Sequence, residues 1–228
     1  MSYPLTVSEA RASWPAVLDR ALAGEVPLVA APGGVRAVLL RAELAVLLGA
    51  PEAAGPVPRA AAMLRLLVDG APQRVAVRAP GATGFFDLVA PGVWMQVRES
   101  RERFATLLAG AAEAAQGVRR GEEEYAVVDA DQLAADLARV WPFAPEVLYE
   151  AGGVAVWLPE LAVYGRGADL DAATADLLAE LRVYADEWQA ELRFAPNHRD
   201  RIGWVRRIQL ARDDAALSGL LDDEPRVA

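Results

Sequence analysis

The sequence predicts an α+β fold: two tandem βαββα units, residues 1–48 and 93–140, and a small ββα domain, residues 141–228. Three observations carry that prediction. The first is an internal repeat, the first thing to look for in any chain. Val7-Ser8-Glu9-Ala10-Arg11 returns ninety residues later as Val97-Arg98-Glu99-Ser100-Arg101. The second is a shared helical period. Ala10, Trp14, Val17, Leu18 and Ala21 fall on one helix face, and Ser100, Phe104, Leu107, Leu108 and Ala111 repeat those positions. The third is a hairpin pattern leading into a capped amphipathic helix after residue 141.

The elements of the first unit follow in order. Leu5–Val7 reads as a strand and Ser8 as a helix N-cap. The helix runs to about Ala23 but carries Pro15, which lacks an amide donor and clashes with the preceding turn. A break is predicted there, with Ser13 capping the second half. Val26–Ala31 and Val35–Leu40 are strands around the turn Pro32-Gly33-Gly34, and Ala42–Leu48 is a short helix. In the second unit Ala126-Val127-Val128 and Leu133 match Ala37-Val38-Leu39 and Leu44, now at an offset of 89. One residue has been lost from the intervening turn.

Residues 49–92 form a connector. It opens with Gly49-Ala50-Pro51 and Gly55-Pro56-Val57-Pro58, then predicts a helix over Arg59–Val68, a strand over Arg74–Val77 and a turn over Gly81–Gly84. After the break at Trp141-Pro142-Phe143, Val154–Leu158 and Leu161–Tyr164 predict a hairpin around Pro159-Glu160. Asp169 caps a helix whose apolar stripe is Leu170, Ala173, Leu177, Leu181, Tyr184 and Trp188. Trp157 and Trp188 are expected to pack together. Ile202–Leu210 is a mixed segment, and Asp214–Leu221 a short helix leading to an acidic tail.

Composition narrows the function classes. Apolar residues make up 54% of the 228, enough for a core and too many for a disordered chain. Without cysteine there is no disulfide, thiolate metal site or Cys nucleophile. No apolar run approaches the roughly 18 residues of a membrane span, and no leader pattern opens the chain, so the expectation is a cytoplasmic protein with no membrane association. Net charge is −9, and residues 141–228 hold sixteen acids against nine arginines. That acidity serves solubility or complements a basic partner.

No residues are expected to be catalytic, none to bind a metal, and no cofactor is implied. His198 is the only histidine, and nothing at recognisable spacing supplies a nucleophile or a second ligand, so it reads as a surface or loop residue. Gly33-Gly34 is not a phosphate loop, since no lysine or helix-start pattern follows. Glu122–Glu124 and Asp222-Asp223-Glu224 read as solvated charge runs. A nuclease built on carboxylates of the acidic third is the remaining enzymatic reading.

The residues Ser8-Glu9-Ala10-Arg11, Val17-Leu18-Asp19-Arg20, Gly33-Gly34 and Ala37-Val38-Leu39-Leu40 resemble the prevent-host-death (Phd/YefM-like) antitoxin family. The second unit is similar through Glu99, Arg101, Leu107-Leu108 and Tyr125-Ala126-Val127-Val128. Residues 154–161 and 167–173 resemble a HicB-like antitoxin module. The resemblance implies a type II antitoxin that neutralises a cognate toxin, an RNase in many such systems, and autoregulates by binding operator DNA. It further implies that the two units pair within the chain as a pseudo-dimer, giving a monomer; if they do not, each pairs with another chain as a homodimer. A transcriptional regulator without a toxin is the alternative.

For DNA the resemblance points to Ser8, Arg11, Arg98, Arg101, Arg119 and Arg120. Arg11 and Arg101 could equally be solvated arginines paired with Glu9 and Glu99. For the toxin, the candidate contacts are Trp157, Glu160, Tyr184, Trp188 and Trp204.

Overall fold

A computed structural model describes residues 4–30, 36–41, 73–79, 82–88, 94–113, 115–198 and 201–222. The chain divides into two compact units, Ser2–Asp136 and Leu137–Ala228.

In the first unit, β1 (Leu5–Thr6) leads directly into α1 (Val7–Ala12). The cap is Thr6 and not Ser8: the Thr6 hydroxyl accepts from the Glu9 amide at 3.2 Å, and the Glu9 carboxylate accepts from the Thr6 amide at 2.8 Å. This reciprocal capping box satisfies two amides that the helix start would leave orphaned. The predicted break falls at Ser13. Helix α2 (Trp14–Leu22) restarts with Pro15 in its first turn, where a missing amide costs nothing. Ser13 holds the cap position, but its hydroxyl donates back to the Glu9 carbonyl at 2.7 Å and caps nothing. Strands β2 (Leu28–Ala30) and β3 (Arg36–Arg41) follow. The predicted turn at 32–34 and the helices at 42–48 and 59–68 lie outside the described residues.

In the connector, β4 (Gln73–Ala79) and β5 (Ala82–Leu88) pair antiparallel as a separate two-stranded sheet. Gly84 therefore belongs to a strand, where a turn was expected over Gly81–Gly84.

The second repeat gives β6 (Trp94–Gln96), α3 (Val97–Glu102), α4 (Phe104–Ala111), β7 (Gln116–Arg120), β8 (Glu123–Asp129) and α5 (Ala130–Val140). Gly121, at φ +63°, lets the chain turn between β7 and β8. Asp129 starts α5 by accepting from the Gln132 amide at 2.7 Å.

These strands form one six-stranded sheet in the order β1-β2-β3-β8-β7-β6. The order reads alike from either edge. On each side a short parallel pair, β1 with β2 and β6 with β7, flanks an antiparallel pair. The central seam joins β3 to β8 antiparallel, with Ala37 opposite Asp129, Val38 opposite Val128, Leu39 opposite Val127 and Leu40 opposite Ala126. Exchanging each residue for its repeat counterpart returns the same register. The core behind the sheet holds Trp14, Val17, Leu18 and Ala21 from one half and Phe104, Leu107, Leu108 and Ala111 from the other. Trp14 meets Phe104 edge to face, centroids 4.9 Å apart. Such a pair contributes about 0.5–1.5 kcal/mol beyond its buried area.

In the second unit a three-stranded antiparallel sheet runs β11 (Val163–Gly167), β10 (Gly153–Leu158), β9 (Glu146–Glu150). It differs from the expected hairpin in two ways. The returning strand starts at Val163 where Leu161 was expected, after Ala162 at φ 55°, and β9 is an additional strand. Helix α6 (Leu170–Ala190) is capped by Asp169, whose carboxylate accepts from the Ala172 amide at 2.8 Å. The helix lies directly on β11, because a Cβ on Gly165 would come within 2.2 Å of the Leu177 nitrogen and one on Gly167 within 2.3 Å of the Ala173 nitrogen. Two further helices, α7 (Ile202–Leu210) and α8 (Asp214–Gly219), complete the described part.

Candidate functional site

The six residues expected at DNA separate into two groups. Ser8 and Arg11 on α1 and Arg98 and Arg101 on α3 line one open cleft of about 590 Å³, together with Ala12 and Glu102. The cleft sits where the two halves of the first unit meet. Arg11 donates its Nε to the Arg101 carbonyl at 3.1 Å, and Arg101 donates its Nε to the Arg11 carbonyl at 3.1 Å. Each guanidinium thus covers a carbonyl in the last turn of the opposite helix, where backbone acceptors are left over and a cation is favoured. Neither side chain forms an ion pair with Glu9 or Glu99. Glu9 is held by Thr6, whose backbone amide and then hydroxyl keep its carboxyl below the ordinary carboxylate range. Glu99 accepts from Arg103 at 3.1 Å. In the cleft only Arg98 is matched, by Glu102 at 2.9 Å. Three arginines against one carboxylate make a positive concavity on an acidic chain.

Arg119 and Arg120 stand on β7, and their charges are spent internally. Arg119 pairs with Glu124 at 3.0 Å and stacks over Trp94 at 4.3 Å. Gly117 makes room for that indole, since a Cβ there would come within 2.4 Å of the ring. Arg120 donates to Glu123 at 2.6 Å, to Asp19 of the other half at 2.7 Å and to the Tyr125 hydroxyl at 2.9 Å. Glu123 above all, and Asp19 with it, hold Arg120 firmly charged against its partial burial. These two arginines brace the sheet.

The residues expected at a toxin divide similarly. Tyr184, Trp188 and Trp204 are buried in the folded unit. The Tyr184 hydroxyl lies 2.8 Å from His198 Nδ1 and accepts from Arg201 at 3.1 Å; His198 is a half-buried loop residue, as expected, with its ring hydrogen-bonded. Trp188 donates to the His198 carbonyl at 2.8 Å and faces the Arg206 guanidinium at 5.3 Å; Trp204 donates to the Pro142 carbonyl at 2.9 Å. Trp157 does not pack on Trp188. Strand parity puts it on the face opposite Val156 and Leu158, away from α6, where it meets its cross-strand partner Tyr164 at 6.2 Å. Glu160 is half-buried, accepts from the Ala144 amide at 2.9 Å, and has its pKa raised by burial.

Two features had not been expected. Arg206 and Arg207 on α7 are buried. Burial, with Arg193 adding to it, pushes the Arg206 pKa down to about 9. Strand β9 exposes Val147, Leu148 and Tyr149 at 41%, 47% and 79%. Pro145 before it and Ala151-Gly152-Gly153 after it are the turn formers that could have marked this strand. Among the described residues no group of three or more His, Cys, Asp or Glu side chains is placed to hold a metal ion. No helix among them is long and apolar enough to cross a membrane.

The arginine-lined cleft thus lies between α1 and α3 of the first unit, and the acidic α/β unit follows it in the chain. A family model described as "Antitoxin of toxin-antitoxin, RelE / RelB, TA system" matches residues 93–222. That is more than half of the chain, which belongs to this antitoxin family; the family's role implies a toxin partner. A crystal structure of the antitoxin part of a proposed toxin/antitoxin system from Syntrophomonas wolfei subsp. wolfei is similar at 16% identity. The likeness covers 55% of this chain and 94% of that one, with a TM-score of 0.46. No curated protein matches the chain.

Proposed function

We propose that this protein is a cytoplasmic type II antitoxin that neutralises a cognate RNase toxin by direct binding. Its first unit is a pair of prevent-host-death-type repeats folded as an intramolecular pseudo-dimer. Its acidic C-terminal unit, HicB-like in its strand-to-helix arrangement, carries the toxin. The observation that carries this reading is the family match over residues 93–222, which takes in the second repeat and the C-terminal unit together. No chemistry is needed; burying the toxin's active surface suffices.

The product of the neighbouring gene is the toxin to try. Co-expression should relieve growth arrest, and the purified chain should stop RNA cleavage at one-to-one stoichiometry. If the two proteins form no complex and growth is not rescued, the reading fails.

The cleft favours a second role, autoregulation at operator DNA, because four of the six expected residues line it. Phosphate neutralisation supplies most of such affinity and makes it salt-dependent. In a gel shift with the chain's own promoter, Arg11→Ala or Arg101→Ala should weaken binding about tenfold or more, in line with about 1–3 kcal/mol for a good base contact. Arg119→Ala should leave DNA binding nearly intact.

A further inference from the structure

Among the described residues, the sheet of the C-terminal unit gives β9 one partner, β10, and leaves its other edge open. Open edges template the pairing of other chains, and proteins normally blunt them with charge, bulges or cover. Here the middle of the strand is bare and apolar. Val147 and Tyr149 point to one face of the sheet and Leu148 to the other, and all three are exposed, so neither face is covered at this edge. The patch continues inward. Leu148 lies across from Ala155, while Trp157 and Tyr164 occupy the same face on the next two strands. Among the described residues, four of the seven large exposed apolar side chains lie on this sheet: Val147, Leu148, Tyr149 and Tyr164. Apolar exposure gathered in this way marks an interaction surface.

Charge decides the occupant. The strand is Glu146-Val147-Leu148-Tyr149-Glu150, an apolar triplet between two carboxylates. A second copy, paired antiparallel about Leu148, would set Glu146 opposite Glu150 at both ends of the ladder. Like charges directly opposite are destabilising. Residues 141–228, with sixteen acids and nine arginines, would add repulsion. A strand with apolar residues between basic ones meets both demands. It would continue the hydrogen-bonded ladder, place alternate side chains on the Leu148 and the Val147–Tyr149 faces, and set a cation against each glutamate.

We infer that β9 is the docking edge for the toxin: a basic, extended segment of the toxin adds to it as a fourth strand. This rests on the antitoxin reading above and names the surface that performs it.

The test uses the full chain and the purified product of the neighbouring gene. Hydrogen exchange should slow at residues 146–150 on complex formation. Leu148→Lys with Tyr149→Lys should weaken binding about 100-fold, the loss of two central anchors. Glu146→Lys with Glu150→Lys should weaken it about tenfold at low salt and less at high salt. All four positions are on an edge strand, and a melt matching the parent shows that each variant is folded; the exchange footprint needs no variant at all. If the unmodified chain does not bind, the antitoxin reading falls and this inference with it. If it binds while residues 146–150 exchange as freely as in the free chain, only the docking edge is overturned. A free chain that is a dimer with residues 146–150 already protected also overturns it, because a second copy then holds the edge.

Discussion

The two halves of the N-terminal sheet share a backbone plan and differ at the side chains where they meet. Trp14 in the first half corresponds to Phe104 in the second, and Ala10 to Ser100. The Trp14 indole donates to the Ser100 hydroxyl at 2.9 Å in a buried setting, while Ser100 also donates to the Val97 carbonyl at 2.9 Å. The bond exists once, not twice. Two copies of the first half would face each indole with Ala10, which has no acceptor. Arg120 likewise reaches Asp19, whose counterpart in the second half is Ala109. The helix starts differ too. Thr6 and Glu9 form a capping box, whereas Gln96, ahead of Glu99, makes no side-chain cap. The seam register has been kept and the contacts beside it have become one-sided, so each half is fitted to the other more than to itself.

That asymmetry can be broken in graded steps. Trp14→Ala removes the ring from the seam and should cost about 3–5 kcal/mol in denaturant unfolding. Tyr125→Phe probes the second half alone. Burial above all, then the bond to Glu123, pushes the Tyr125 pKa from 10.0 up to about 12. A folded pKa above the unfolded one stabilises fully below pH 10, and that contribution is lost as pH rises toward 12. The parent should therefore lose about 2–3 kcal/mol across this window, and Tyr125→Phe should lose that much less. Ser100→Ala strands the indole donor and should cost about 1–2 kcal/mol. Trp14→Phe with Ser100→Ala should cost less than the two single changes summed, since both act on one bond; strict additivity would end the claim of a one-sided lock. Gln96→Thr copies the first half's cap into the second and should raise stability by about 0.5–1 kcal/mol. An unchanged melt would mean that the second helix start is already satisfied.

Local chemistry made much of this legible in the sequence. The helical spacing of Ala10, Trp14, Val17, Leu18 and Ala21 named the buried face, and Pro15 named the break, because both depend on neighbours within a turn or two. Thr6, not Ser8, caps the helix, and Thr6-x-x-Glu9 is itself a capping-box pattern in the sequence. β9 carries no period-two signal, because Val147-Leu148-Tyr149 does not alternate. Trp157 and Trp188 do not pair, because strand parity turns Trp157 away from α6. In the arginine cleft, residue types were readable but their neutralisation was not. Arg119 and Arg120 precede three glutamates, yet which carboxylate each takes depends on the β7–β8 register and on Asp19 in the other half. The burial of Arg206 and Arg207 rests on contacts far along the chain, where no local pattern reaches.

The seam between β3 and β8 lies within one polypeptide. Two separate halves would associate with a probability that falls with dilution. Two tethered halves meet at an effective concentration set by the connecting chain, residues 42–93, and not by how many molecules are present. Assembly is then first-order: a single molecule can complete its own sheet. Closing so large a loop slows that pairing only relative to pairing of strands near in sequence. The sheet is therefore completed in a step whose rate and equilibrium do not depend on protein concentration.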